Sequence, residues 1–353
     1  MNTTSFSWTK SLLQWFEKNK RPLPFRLTKD PYAVWISEIM AQQTQIDTLL
    51  PYYNRFVESF PHVQALAAAE EDLLLKHWEG LGYYNRAKNL HRAAKIIVTE
   101  WHGFIPDNYK DLLKLPGIGP YTAAAIASIC FNEKIAAVDG NVLRVFSRLT
   151  NSFDDIGEQA TKRQIQHALS QCMPDEPGDF NEAMMELGAL ICLPTNPYCL
   201  LCPIREHCSA LETGHVHLLP VKKKKIKRKT LAMEACLVED TKGQLLIEKR
   251  PDKGLLSGLW GFPIVEKNQG IGNYLQKTYK YTEPLCLIGK TKHVFTHITW
   301  EIDLYIIKQV QHDGDKGVFI SPKNILSDFA LPTAFKKMLR FYNSSSRKNT
   351  PYK

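Results

Sequence analysis

Leu115–Thr122 reads LPGIGPYT, and the sequence on both sides of it is helical in pattern. Gly117 and Gly119 permit a tight hairpin between two helices. Backbone N–H groups would then point outward at the start of the second helix, where the helix dipole favours an anion. Such a turn grips a phosphate without reading sequence. A bare G-x-G between helices is more often a plain turn. The full L-P-G-x-G-x-x-T-A string, which includes Thr122, is more specific.

Working outward, the first two thirds of the chain carry helical periodicity. Runs cover 6–19, 32–42, 45–59, 70–78, 83–100, 107–115, 120–131, 140–150, 158–172 and 180–190. Asp30-Pro31 supplies an N-cap and a first-turn proline for the second of these. Residues 214–230 are charged and pattern-poor, and read as a linker. After Thr230 the period changes. LAMEACLVE and GQLLIEKR look like strands flanking a turn at Asp240–Gly243, and 285–309 holds two more strand-like runs. With a short helix at Thr333–Tyr342, residues 231–345 read as a separate α+β domain.

The chain has 353 residues and a net charge of +9. That balance fits nucleic acid or an acidic surface but selects neither. Much of the excess lies in Lys222–Lys229 (KKKKIKRK). A solvated linker is the ordinary reading of such a run, and phosphate contact the alternative. Met1–Lys10 has no apolar core of a signal, and no apolar run is long enough to span a bilayer. A soluble, cytoplasmic, nucleoid-associated protein is expected, with no membrane partner.

Four of the eight cysteines fall close together, as Cys192, Cys199, Cys202 and Cys208. The spacing is C-x6-C-x2-C-x5-C. It can complete a tetrahedral metal site or a [4Fe–4S] cube. Zinc sites usually pair short knuckles across a longer gap. Only Cys199 and Cys202 form a knuckle here, which favours the cluster over zinc and over four plain buried thiols. Cys130, Cys172, Cys236 and Cys286 are scattered singly, as free thiols of a reducing compartment would be.

These motifs together resemble a known family. The hairpin string, the following VDGNVLRVFSRL (Val138–Leu149) and the four-cysteine loop are similar to the endonuclease III superfamily of DNA glycosylases. LPFR (Leu23–Arg26), VWISEIMAQQTQ (Val34–Gln45) and GLGYYNRA (Gly80–Ala87) resemble its MutY branch, the adenine DNA glycosylases. The resemblance implies a mainly α helix–hairpin–helix glycosylase fold followed by an α+β Nudix-like domain. It places an iron–sulfur helical domain at 1–30 and 138–213 and a six-helix domain at 31–137. The implied cofactor is a [4Fe–4S] cluster on the four loop cysteines.

Base excision needs a proton for the leaving purine and a negative charge beside an oxocarbenium-like sugar. Glu38 is the only acid in the 32–42 helix, among Trp35, Ile39 and Met40. Burial there would raise its pKa and keep it protonated; a surface glutamate on an amphipathic helix is the other reading. Asp139 precedes a helix start, which suits either a simple N-cap or an ionised carboxylate stabilised by the dipole. The family implies that Glu38 is the acid and Asp139 the stabilising carboxylate. It also implies that Tyr121 packs near that aspartate and that Asn141 belongs to the catalytic centre. Lyase members carry a lysine at the position of Tyr121, and tyrosine cannot form a Schiff base. A monofunctional enzyme is therefore expected.

An extruded base leaves a hole in the duplex. By resemblance Gln43 and Tyr83 are candidates to fill it, against a solvated helix end and a core aromatic. Arg26 and Glu182 match the family's adenine pocket. Phe25 stands where the family commonly has tryptophan, and keeps a stacking ring. In 231–345 there is no R-E-x-x-E-E cluster to hold Mg2+, so that domain is expected to read rather than hydrolyse. Phe295-Thr296-His297 matches the family's F-S-H loop for 8-oxoguanine, with threonine for serine. A plain turn histidine is the other reading of His297.

The expected activity is excision of adenine opposite 8-oxoguanine or guanine in double-stranded DNA, by a monomer. A bifunctional pyrimidine glycosylase/lyase and a non-catalytic DNA-binding iron–sulfur protein are the alternatives.

Overall fold

The N-terminal elements fall much where the periodicity predicts. The computed structural model describes residues 7–223, 228–310 and 317–348. Residues 224–227 of the lysine run, and 1–6 of the stretch read for a signal, lie outside the described residues. The helices are α1 (Ser7–Asn19), α2 (Pro31–Ala41), α3 (Ile46–Ser59), α4 (Val63–Ala68), α5 (Glu71–His77), α6 (Asn85–Glu100), α7 (Tyr109–Leu112), α8 (Pro120–Phe131), α9 (Gly140–Leu149), α10 (Gln159–Gln171) and α11 (Pro177–Leu190). The Asp30 side chain accepts from Tyr32 N and Ala33 N at the start of α2, as the Asp-Pro pair predicts.

Two compact units result. One joins Met1–Ala68 to Lys88–Lys224, and the other joins Ala69–Ala87 to Lys225–Lys353. In the first, Trp8, Leu12 and Phe16 of α1 pack with Val142 and Val145 of α9, Ile165 of α10, and Phe180 and Leu187 of α11. Helix α2 is buried from Val34 through Met40, so no face of it meets water. Helix α8 is buried from Thr122 through Ser128, and its four alanines there keep it thin. A helix apolar on all sides belongs inside a protein. The helix expected at 107–115 shortens to one turn, capped by Asn108, whose side chain accepts from Asp111 N at 3.0 Å. The chain leaves it early to reach Gly117, which sits at φ +80° with Asn89 Cβ 2.6 Å from where a Cβ would lie.

After α11 come the cysteine loop and a short helix α12 (Ser209–Glu212). The second unit is built on a sheet of β1 (Lys229–Asp240), β2 (Leu245–Lys249), β3 (Trp260–Gly261), β4 (Ile264–Glu266), β5 (Cys286–Val294), β6 (Ile298–Val310) and β7 (Val318–Ile320). Strand order is β3-β2-β1-β6-β5, with β4 on β1 and β7 on β2. The central β1–β6 pair is parallel, with Leu231 opposite Trp300 and Leu237 opposite Ile306. Helices α13 (Ile271–Tyr279), α14 (Pro322–Asp328) and α15 (Thr333–Lys348) complete it. Phe335, Met338 and Leu339 of α15 close the core against Leu237, Phe262 and Ile302. The β5–β6 hairpin pairs Val294 with Thr299, and Phe295–His297 forms its loop. No helix among the described residues is long and apolar enough to cross a membrane.

The predicted strands at 231–239, 243–250 and 285–309 are present. β3, β4 and β7 were not foreseen, since two or three residues cannot show alternation. Helix α13 was also missed: Gly270 and Gly272 interrupt its pattern.

Candidate active site

Four segments of the first unit converge on Glu38. It lies on α2, is 9% exposed, and among the described residues its Oε2 has no hydrogen-bond partner. Burial pushes its carboxyl up to about 7; the Tyr121 hydroxyl opposes the rise, while the charges of Glu182 and Asp139 add to it and Arg26 subtracts. Those four groups are therefore its electrostatic neighbours. Tyr121 Oη also donates to Met185 Sδ at 3.1 Å. Burial, then the carboxylates of Glu38 and Asp139, holds the tyrosine well above its usual range.

Asp139 caps α9. Its Oδ1 accepts from Val142 N at 2.7 Å and its Oδ2 from Asn141 Nδ2 at 2.9 Å. Burial raises this carboxyl too, and those N–H donors pull the other way. The difference between the two acids is thus one of donors. Asp139 has N–H groups on both oxygens and the positive end of a helix; Glu38 Oε2 has none.

The segment leading into Asp139 is fixed by side chains the sequence did not single out. Buried Asn181 accepts from Ala137 N at 2.9 Å and donates to Ser128 Oγ and Ile135 O. Ser170 Oγ accepts from Ala136 N at 3.0 Å. Arg144, one turn after Asn141, donates to Asn141 Oδ1, Gly188 O and Cys192 O, each at 2.8 Å. An arginine set between Leu143 and Val145, both apolar, was the available signal. Helices α9 and α11 meet closely here, because a Cβ on Gly188 would lie 2.5 Å from Asn141 Cβ. Gly188→Ala is expected to lower stability by about 1–3 kcal/mol through overpacking. Thermal unfolding measures it; an unchanged Tm would mean the helices can part without loss.

Arg26 ends a 3-10 turn, Pro24–Arg26. It donates to Glu182 Oε1 at 3.2 Å and to Glu186 Oε2 at 2.9 Å. Glu186 is fully buried and takes Arg21 Nε and Nη2, each at 2.7 Å. Burial would raise Glu186, yet the two arginines outweigh it and hold it at about 2. This ion cluster fixes Arg26 beside Glu182. Phe25 packs edge-on to Tyr53 at 5.4 Å.

Other sequence candidates stand apart from this cluster. Gln43 is exposed after α2, at φ 59°. Gly119 caps α8 in extended backbone with open space where a Cβ would be. The fold alone does not demand glycine at 119; it leaves the backbone there uncovered. Thr122 is 1% exposed and accepts from Gln42 Nε2 at 3.2 Å. Its hydroxyl faces inward. Tyr83 and Phe295-Thr296-His297 belong to the second unit. There Phe295 is partly buried against Trp300, while Thr296 and His297 are exposed at the loop tip.

Cys192, Cys199, Cys202 and Cys208 line one small pocket with Arg148 and Ile191. Arg148 is 2% exposed; its Nη1 donates to Cys192 Sγ at 3.3 Å and to Leu193 O at 2.7 Å. Burial pushes the Cys202 thiol up to about 12. Among the described residues no three His, Cys, Asp or Glu side chains are grouped to hold a single metal ion.

Residues 36–172 match the HhH-GPD superfamily of base excision DNA repair proteins, and 234–341 match the NUDIX domain. Adenine DNA glycosylase of Buchnera aphidicola subsp. Baizongia pistaciae is 33% identical over 85% of this chain and 86% of its own. Adenine DNA glycosylase of Homo sapiens is 33% identical over 94% of this chain and 73% of its own. A thermostable thymine-DNA glycosylase superposes with a TM-score of 0.54 at 27% identity, covering 60% of this chain and 98% of its own.

Proposed function

This chain belongs to the family of adenine DNA glycosylases, and on that premise we propose that Glu38 is the acid and Asp139 the anion of an adenine excision site. The reaction is hydrolysis of an N-glycosyl bond in base excision repair. The observation that carries the assignment is the contrast between the two acids: Glu38 is buried with an unbonded oxygen and a pKa of about 7, and Asp139 is bonded on both oxygens. Glu38 gives its proton to a ring nitrogen of adenine. The glycosyl bond breaks, and its electron pair leaves with the base. Asp139 stabilises the cationic sugar, and water completes the hydrolysis at C1′. Arg26 and Glu182 offer donors and an acceptor side by side, which complements the edge of adenine.

Tyr121 supplies no amine, so the backbone stays intact and the activity is monofunctional. The substrate is duplex DNA holding adenine opposite 8-oxoguanine or guanine, taken by a monomer. Incubation with an A:8-oxoguanine duplex tests this. Strand breaks appear only after alkali for a monofunctional enzyme, and before it for a lyase. No breaks under either condition would leave only a DNA-binding protein.

Cys192, Cys199, Cys202 and Cys208 suit a [4Fe–4S] cluster better than one ion. Each thiolate of such a cluster takes its own iron, so four sulfurs need only line one pocket. Bound there, the cluster supplies a cross-link for the 192–208 loop, and Arg148 donates to a ligand sulfur. Cys202→Ser is expected to give iron-poor, poorly soluble protein, since assembly and folding are coupled. Iron and sulfide analysis checks it, and full iron content in the variant would remove Cys202 from the ligand set.

A further inference from the structure

We propose that Met185 is a positioning residue for the acid: its thioether takes the Tyr121 proton and so keeps that proton off the Glu38 carboxyl. The proposal rests on the reading of Glu38 as the general acid. Tyr121 Oη lies 3.1 Å from Met185 Sδ, across 64 residues of sequence.

The contact sits between two helices whose register is fixed. A Cβ on Gly178, near the start of α11, would lie 2.8 Å from Ile129 Cα near the end of α8. Asn181 Nδ2 donates to Ser128 Oγ at 2.7 Å. Met185 then meets Tyr121 near the start of α8. Numbers rise along α11 as they fall along α8, so the two helices are antiparallel. Beyond Met185, Gly188 brings α11 against Asn141. These close approaches bracket Met185 and hold its backbone in place. Its neighbours Met184 and Glu186 are buried. Met185 itself is half-buried, and at a spacing of three it shares a face of α11 with Glu182.

A hydroxyl has one proton, and a thioether is a weak acceptor. The Tyr121 proton has two acceptors within reach, Met185 Sδ and the Glu38 carboxyl. While Glu38 is neutral, the proton rests on the sulfur. Once Glu38 is ionised, its full charge draws the hydroxyl round, because bonds to an ionised acceptor are the stronger ones. Met185 therefore supports the neutral acid and not the carboxylate. Without the sulfur, the neutral state would lose an acceptor for Tyr121 and the ionised state would lose nothing. Glu38 would then give up its proton at lower pH.

The other groups that face Glu38 are Asp139 before α9, Glu182 on α11, Arg26 on the 3-10 turn and Cys130 near the end of α8. Burial pushes the Cys130 thiol up to about 12, so it stays neutral through the range concerned. Glu182 is the group a change at Met185 could disturb, and a double variant separates the two.

The test is the pH profile of single-turnover excision on an A:8-oxoguanine duplex, with full-length, cluster-loaded protein. Met185→Leu keeps the volume and removes the acceptor. It is expected to move the alkaline limb down by about half a unit, the low end for one hydrogen bond. The rate above pH 7 then falls about threefold and changes little on the acid side. Met185→Gln puts an amide oxygen in place of the sulfur and is expected to return the limb to the wild-type position or above it. Tyr121→Phe removes the donor and is expected to raise the limb, and Met185→Leu added to it to change nothing more. Equal melting temperatures across the set separate positioning from stability. A limb that stays put in Met185→Leu overturns the inference and leaves Glu38 as the acid. A limb that falls in Met185→Gln also overturns it, and this variant decides the matter if Met185→Leu folds poorly. So does a further shift in the double variant, which would assign the effect to Glu182. A wild-type profile with no alkaline limb overturns the reading of Glu38 itself.

Discussion

Glu38→Gln is expected to lose about 10²- to 10⁴-fold of the single-turnover excision rate, the range for a positioned general acid, while duplex affinity stays near that of the wild type. The amide keeps the shape of the side chain among Trp35, Ile39 and Met40 but has no acidic proton. The pH profile supplies an independent check. Burial, opposed by the Tyr121 hydroxyl, pushes the Glu38 carboxyl up to about 7, and the proposed role as acid requires the protonated form. The rate is therefore expected to fall tenfold per unit above about 7, and to fall again at acid pH where Asp139, its carboxyl raised by burial, takes up a proton. The residual activity of Glu38→Gln should show no such step. A wild-type rate that stays level well above that pH would give the proton to another group.

Asp139→Asn is expected to lose about 10²- to 10³-fold, the usual loss when one preorganised electrostatic partner of a transition state is removed. Asparagine caps a helix as well as aspartate does. An oxygen can still accept from Val142 N, so α9 should keep its start and the protein its Tm. Loss of rate without loss of stability is the signature of a missing charge. If Tm falls together with the rate, the aspartate acts mainly as a cap. If more than a tenth of the activity remains, the charge is not what the site uses.

Much of this was legible in the chain. Asp30-Pro31 announces α2 because a side-chain oxygen can meet free N–H groups and proline loses no bond there. The change of period after Thr230 announces the sheet. The cysteine spacing marks the loop whose four thiols line one pocket. The hairpin string predicted the turn at Gly117, where the fold demands a glycine, but it gave Gly119 the same weight, and there the backbone is ordinary. The sequence left the surroundings of Glu38 open between core and surface, since one glutamate among apolar neighbours fits either. Burial of every face of α2 decides it, and that burial comes from distant helices.

Sequence by itself determined which elements form and which reactive groups the chain owns, because caps, periods and spacings act over a few neighbouring residues. Tertiary structure decided how those groups are tuned and grouped. Asn181 holding the approach to Asp139, Arg144 spanning Asn141 and Cys192, and Glu186 binding Arg21 and Arg26 are pairings across long loops that no local pattern encodes. The grouping of Ala69–Ala87 with Lys225–Lys353 is the clearest case. A cut near Lys225 looks from the sequence like a clean division, but it would strip 69–87 of the partners of Asp72, Glu79 and Tyr83. Those partners are brought together only when the sheet folds, and a one-dimensional pattern has no term for that.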